Sequence, residues 1–301
     1  MAENQNEQLY FNRIAGLESE EEEDVKQLYH ERIVRGKGTE RIEPYEQEKT
    51  ERDIQLIRFA ERAVLAYRRK YVPDDSPLPL KRIHVLRAGG TRAVTGDKVE
   101  YGAYNNGRAS ILIDRLPSNI QFTLNVFHEL FHLHAYAALQ ETLPDKTSAS
   151  LIRGYRNGFM IQTRDGTRTY FVDVEEALTG IMERQFFAEC VSEEPNFEAE
   201  LEDGPAPDLS RDREVAEFNR IIDLLWEKNP SKFESRDKIL DLFLKARATG
   251  HLLPVTRLVE GTFGHGGLRR LAGGTGCLLE PSSQMRKGPR DQDASISDGV
   301  T

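Results

Sequence analysis

Cysteine is scarce in this chain: only Cys190 and Cys277 occur, far apart in its 301 residues. Two such residues exclude a disulfide framework, and no zinc-finger spacing of cysteine and histidine is present. That usage fits a reducing cytoplasm. No apolar run is long enough to cross a bilayer, and Ala2 to Gln8 is polar where a secretory leader would have an apolar core. A soluble, cytoplasmic chain with no membrane partner is therefore expected. Basic residues are outnumbered, 41 Lys and Arg against 50 Asp and Glu, giving a net charge of −9. Nucleic-acid-binding domains present a basic face that releases counterions, so no nucleic-acid partner is expected either.

Glycine and proline are also missing from Asn119 to about Gln140, which predicts a helix over that stretch. Ser118 followed three residues later by Gln121 has the form of a capping box at its start. Ile120, Leu124, Phe127, Leu130, Phe131, Leu133 and Leu139 cover most of the helix with apolar groups, so it reads as a buried element. Gln121, Asn125, His128 and His132 break that cover along one line, at spacings of three and four. Buried polar groups need partners. Within the line lies His128-Glu129-Leu130-Phe131-His132. Residues i and i+4 of a helix project about 40° apart, one turn along, so two imidazoles can converge on one ion. Tetrahedral zinc with three protein ligands keeps one position for water and lowers its pKa to about 7. Glu129 is then placed to take that water's proton as it attacks a carbonyl.

The third ligand has to come from elsewhere. The metzincin pattern would need Gly and His where Ala135 and Ala138 stand. Asp173-Val174-Glu175-Glu176-Ala177-Leu178-Thr179-Gly180 opens a second helical run through Ile181, Met182, Phe186 and Phe187. Glu-Ala-Leu-Thr in this run resembles the glutamate helix of the gluzincin metallopeptidases, the thermolysin-like class, over about Ile83 to Cys190. The resemblance implies a zincin-like fold, a single zinc ion held by His128, His132 and Glu176, and a peptide or protein substrate. Glu175 competes with Glu176 for the ligand role, because neighbours on a helix point about 100° apart. Where the family often has an Asp that supports a histidine, this chain has Gly180, so that support must come from another residue.

Lys81 to Leu86 and Ser110 to Asp114 read as short strands of a small sheet before the motif helix. By the resemblance, the strand just before that helix, Arg108 to Ile113, would be the edge to which an extended substrate adds, and an ordinary packed strand fits the residues equally well. Asp165-Gly166 between alternating runs predicts a hairpin within Gly158 to Val172, walling one side of a cleft. Arg153, Tyr155 and Tyr170 in this insert are the residue types that could serve a developing oxyanion, although no motif assigns the role. His134 projects about 200° from His132 and reads as a core or supporting histidine.

Residues 1–45 read as an acidic arm, with Glu18, Glu20, Glu21, Glu22, Glu23 and Asp24 clustered. The catalytic domain is expected over 46–260, with helices over 47–71 and over Arg211 to Thr249, the latter broken near Asn229-Pro230. Residues 191–210 read as an exposed loop. Residues 261–301 read as a Gly-rich tail, disordered from about 275. The fold class is α+β, mostly helical, with a small sheet packed on the buried motif helix. The expected activity is zinc-dependent hydrolysis of a peptide bond with Glu129 as general base. The alternatives are a catalytically inactive metalloprotease-like sensor or binding module, and a helical interaction protein in which the motif is accidental.

Overall fold

A computed structural model describes residues 12–15, 21–27, 41–73, 76–96, 101–105, 110–142, 151–209 and 211–279. The described residues mix helices with small sheets, consistent with an α+β fold, and are 58% helical. The strands form one sheet of three and another of five. In the smaller sheet, β2 (Ile83–Leu86) and β4 (Ser110–Asp114) are buried at every position and pair in parallel, while β3 (Gly102–Asn105) runs antiparallel along the other side of β4. The order β2-β4-β3 leaves β3 at the edge. Residues 110–113 are thus the middle of the sheet, which corrects the expectation that Arg108 to Ile113 forms the edge; residues 108 and 109 lie outside the described residues. Both sides of β4 are taken because consecutive strands pair antiparallel on one side and β2 fills the other.

The larger sheet has the order β1-β5-β6-β7-β8, with β1 (Arg13–Ala15) parallel to β5 (Ala137–Thr142). β6 (Leu151–Asn157), β7 (Met160–Gln162) and β8 (Thr169–Tyr170) follow antiparallel. The expected hairpin joins β7 to β8, with Gly166 at φ 73 in the conformation its turn demands. Part of the acidic arm belongs to this sheet, since Ile14 is buried and its N–H donates to Glu22 at 2.7 Å. Glu18 and Glu20 lie outside the described residues.

The motif helix spans Asn119–Leu133. Ser118 accepts from the Gln121 N–H at 2.9 Å, but the other half of the capping box is not made by Gln121. Its amide donates to Asn125 Oδ1 and to the Asp208 carbonyl, both at 3.1 Å. Glu200 caps the neighbouring donors, accepting from the Asn119 and Ile120 N–H groups at 3.1 Å each and from the Ser118 hydroxyl. A carboxylate there satisfies donors that the first helical turn leaves open. The segment expected as an exposed loop over 191–210 is mostly exposed across its described residues, 191–209, but it is not irregular: it holds helix Glu198–Asp203, and its Phe197 is buried. The motif helix also stops earlier than the absence of Gly and Pro predicts. Tyr136 N–H donates to the Arg247 carbonyl at 3.0 Å, and the chain turns out at that point so that Ala138 and Leu139 bury in β5. Tertiary pairing overrides helix propensity here.

Two large cores organise the described residues, beside a small cluster of Ile42, Leu86 and Leu112. In the first, Ile57, Ala60 and Val64 of helix Glu51–Arg68 meet Ile83, Val85, Ile111 and Ile113 of the small sheet and Phe122, Phe127 and Leu130 of the motif helix. The second gathers Phe218, Ile222 and Phe243 of helices Asp212–Glu227 and Arg236–Thr249 with Val259, Leu271 and Leu278. Helix Val172–Phe186 crosses from one to the other, giving Val174, Ala177 and Leu178 to the second core and Met182 and Phe186 to the first. The boundary expected at 260 falls inside helix Leu253–Phe263. Gly267–Ala272 and Thr275–Leu279 are short helices anchored by Leu271 and Leu278, so the packed chain continues to 279. Residues 280–301 lie outside the described residues.

Candidate metal centre

The apolar faces of the motif helix are consumed by the first core, and its polar line faces the crossing helix. His128 Nε2 and His132 Nε2 lie 3.2 Å apart. Glu176 Oε2 is 3.5 Å from the first and 3.6 Å from the second. Zinc bonds of 2.0–2.2 Å to nitrogen and oxygen in a tetrahedron require ligand atoms about 3.3–3.6 Å apart. The two distances to Glu176 fall in that range, and the 3.2 Å between the imidazoles is just below it. Glu176 Oε2 is also buried, and it pairs with the Arg211 guanidinium, whose Nε lies 3.0 Å away.

Each imidazole is held from behind by a carboxylate. His128 Nδ1 is 3.1 Å from Glu183 Oε2, and His132 Nδ1 is 3.2 Å from Glu175 Oε1. Donation from Nδ1 fixes the tautomer and leaves the Nε2 lone pair for an ion. Glu183 stands two turns beyond Glu176 on the same helix, so it supplies the support that Gly180 lacks. Glu175 and Glu176, which compete for one role in the sequence, divide two roles between them. Glu175 is wholly buried. It accepts from Arg247 Nε at 2.8 Å, pairs with Arg247 Nη2 at 2.7 Å, and takes the Phe159 N–H at 2.9 Å. Gly158, at φ 55, passes so close that a Cβ there would collide with the Glu175 carboxylate. Arg247 is completed by the Phe131 carbonyl at 2.7 Å and by that residue's ring, 3.9 Å away.

Around the two imidazoles stand the carboxylates of Glu175, Glu176 and Glu183, with Arg247 on Glu175 and Arg211 on Glu176. Burial alone would lower the His128 imidazole, but hydrogen bonds with Glu176 and Glu183 push it up to about 10. Burial would raise Glu176, yet the two imidazoles hold it well below the usual carboxylate range.

Glu129 is buried one residue along from His128, and its side chain lies against β3, where a Cβ on Gly102 would come within 2.8 Å of Oε1. Desolvation raises its carboxyl above the ordinary value, which suits a group that must both take and return a proton. Tyr104, two residues on along β3, stacks on His132 with ring centroids 4.8 Å apart. Among the insert residues, Tyr170 packs against the second core and Tyr155 stands on β6; the Arg153 side chain lies outside those described. His134 Nδ1 faces Arg68 Nη1 at 3.5 Å. With Phe131 and Arg247 it lines a cavity of about 410 Å³ behind the motif helix.

Glu183, Arg247, Arg211 and Gly158 are the site residues that sequence reasoning missed. The spacing of seven from Glu176 could have found Glu183. Arg247 lies 72 residues from its partner, and no local pattern announces it. Compared with known proteins, the chain matches no family model, no curated protein sequence and no solved structure.

Proposed function

We propose that the protein is a zinc metallopeptidase of gluzincin-like, zincin-like plan, cytoplasmic, acting on a peptide or protein substrate. The observation that carries this reading is the convergence of His128 Nε2, His132 Nε2 and Glu176 Oε2 within 3.6 Å, with a carboxylate behind each imidazole. These three residues would hold the ion. Bound there, zinc would lower the pKa of a water to about 7 and polarise the scissile carbonyl.

The chain's own residues do the rest. Glu129 takes the proton of the attacking water on its carboxylate and passes it to the leaving amine nitrogen. Glu175 and Glu183, against the Nδ1 atoms, hold both imidazoles in orientation with Nε2 turned toward the ion site. Among the described residues β3 is an edge strand, and it carries Gly102 beside Glu129, so an extended peptide would add along its open side. Both cysteines are free thiols, in keeping with a reducing compartment.

The test is metal content by elemental mass spectrometry, with parallel assay on casein. The parent should carry close to one zinc per chain, His132→Ala and Glu176→Ala should lose it, and Glu129→Gln should keep it while hydrolysis falls about 10²–10⁴-fold. A parent that takes up no zinc on reconstitution would make the motif helix a core helix and end the enzymatic reading.

A further inference from the structure

The cavity behind the motif helix measures about 410 Å³. Protein interiors hold few voids larger than a water molecule, so a space of this size is not a packing defect. It lies within the range of sites that take small ligands, which are mostly apolar with a few polar groups set among them. Its walls fit that description. Val64, Phe131, Met182 and Ala248 are buried there, and Leu240 and Leu244 are partly exposed.

The polar groups of the lining are graded by depth. Arg247 is 3% exposed and His134 8%, and half-buried Arg68 places Nη1 3.5 Å from His134 Nδ1. Lys70, Asp237 and Asp241 are exposed and so mark the rim. Asp241 already accepts from the Tyr71 hydroxyl at 2.6 Å. The aromatic faces carry cations of the chain itself, with Lys70 Nζ 5.4 Å from the Tyr67 ring and Arg247 over that of Phe131. A cationic ligand would find those rings taken, whereas an anionic one would find two guanidinium groups. Arg247 also has donors left to give. Its Nε and Nη2 are spent on Glu175 and the Phe131 carbonyl, and its Nη1 donates to nothing among the described residues. Burial lowers the pKa of this guanidinium, and the attraction of Glu175 offsets that only in part. A further anion beside it would stabilise its charge.

We propose that this cavity binds a small organic acid, its carboxylate deep against Arg247 and Arg68 and its apolar body along the leucines, and that occupancy tightens the ion site. The second half rests on the metallopeptidase reading above. A carboxylate on Nη1 holds the guanidinium without displacing Glu175, and Glu175 aims His132. Phe131, a wall of the cavity, is also the chain neighbour of His132. Ordering Arg247 in advance raises the affinity for the metal, and by linkage the metal raises the affinity for the acid by the same factor.

The test titrates decanoate into the full chain by calorimetry, with decanol and decylammonium as probes of the same tail. Zinc-free protein is used, so that a bound ion cannot hold the carboxylate. Decanoate should bind about 10-fold or more tightly than either control, as a hydrogen bond to a charged group implies. Leu240→Trp, which fills the space, should abolish binding, and Arg68→Gln should weaken it about 10–100-fold. Zinc competition against a chromophoric chelator should then show about 5–10-fold tighter metal in saturating decanoate, and no such gain in Leu240→Trp. Equal binding of the three probes, or decanoate binding that survives both variants, would overturn the site. Decanoate binding that leaves zinc affinity unmoved would overturn the coupling alone. A chain that binds decanoate but takes up no zinc would overturn the metallopeptidase reading and the coupling with it, and leave the acid site standing.

Discussion

The two cores meet at the candidate metal centre and bring opposite things to it. The first core, through the motif helix, contributes the imidazoles and Glu129, all within five consecutive residues. The second contributes the cations, with Arg247 from helix Arg236–Thr249 and Arg211 at the start of helix Asp212–Glu227. Between them the crossing helix lays three carboxylates, Glu175, Glu176 and Glu183, against the histidines. A ligand set can thus be encoded locally while its orientation depends on the far end of the chain. His132 is aimed by Glu175, and Glu175 is held by Arg247 and by the Asn157–Phe159 turn.

Breaking that dependence should produce the largest effect. Arg247→Met leaves Glu175 buried without its cation, and removing one partner of a buried pair costs about 3–5 kcal/mol. Urea unfolding should show this loss, and Arg247→Met/Glu175→Gln should regain most of it because no charge is left uncompensated. Zinc affinity, measured by competition with a chromophoric chelator, should fall about 10–100-fold in both variants, since both lose the support behind His132. An Arg247→Met protein with parental stability and affinity would mean that the second core merely abuts the site.

Gly158→Ala probes the same dependence from the β6–β7 turn, with a smaller effect. The new Cβ meets the Glu175 carboxylate, and the residue is at φ 55, so a loss of about 1–3 kcal/mol is expected. Zinc affinity should drop with it. A stability loss with unchanged affinity would show that Glu175 can shift without moving His132.

What the sequence disclosed follows the range of the forces involved. The i, i+4 spacing of His128 and His132, the polar line they extend, the helix that carries Glu176 and the Asp165-Gly166 hairpin all depend on neighbours within a few residues, and all were legible. The end of the motif helix was not, because Tyr136 leaves the helix for the Arg247 carbonyl and β5 pairs with strands on both sides. Residues 261–279 read as a tail because helices of five and six residues are too short to show a period. Gly264 and Gly266, at φ 79 and 84, are the turns between packed helices. Composition alone does not separate such turns from a loose segment.

Glu200 offers the smallest effect and the sharpest control. Its carboxylate caps the motif helix at Asn119 and Ile120, three turns from the histidines and with no contact to the cluster among the described residues. Glu200→Gln keeps the size of the side chain but removes the charge that favours the helix N-terminus, so a loss of about 0.5–1 kcal/mol is expected. Zinc affinity should stay at the parental value. If both cores act on the site as separate bodies joined by the crossing helix, then weakening the first core at its outer end lowers stability alone, whereas weakening the second at Arg247 lowers stability and affinity together. A fall in zinc affinity in Glu200→Gln comparable to that in Gly158→Ala would instead mean that the motif helix transmits strain along its whole length, and the distinction between a core that supplies ligands and a core that orients them would fail.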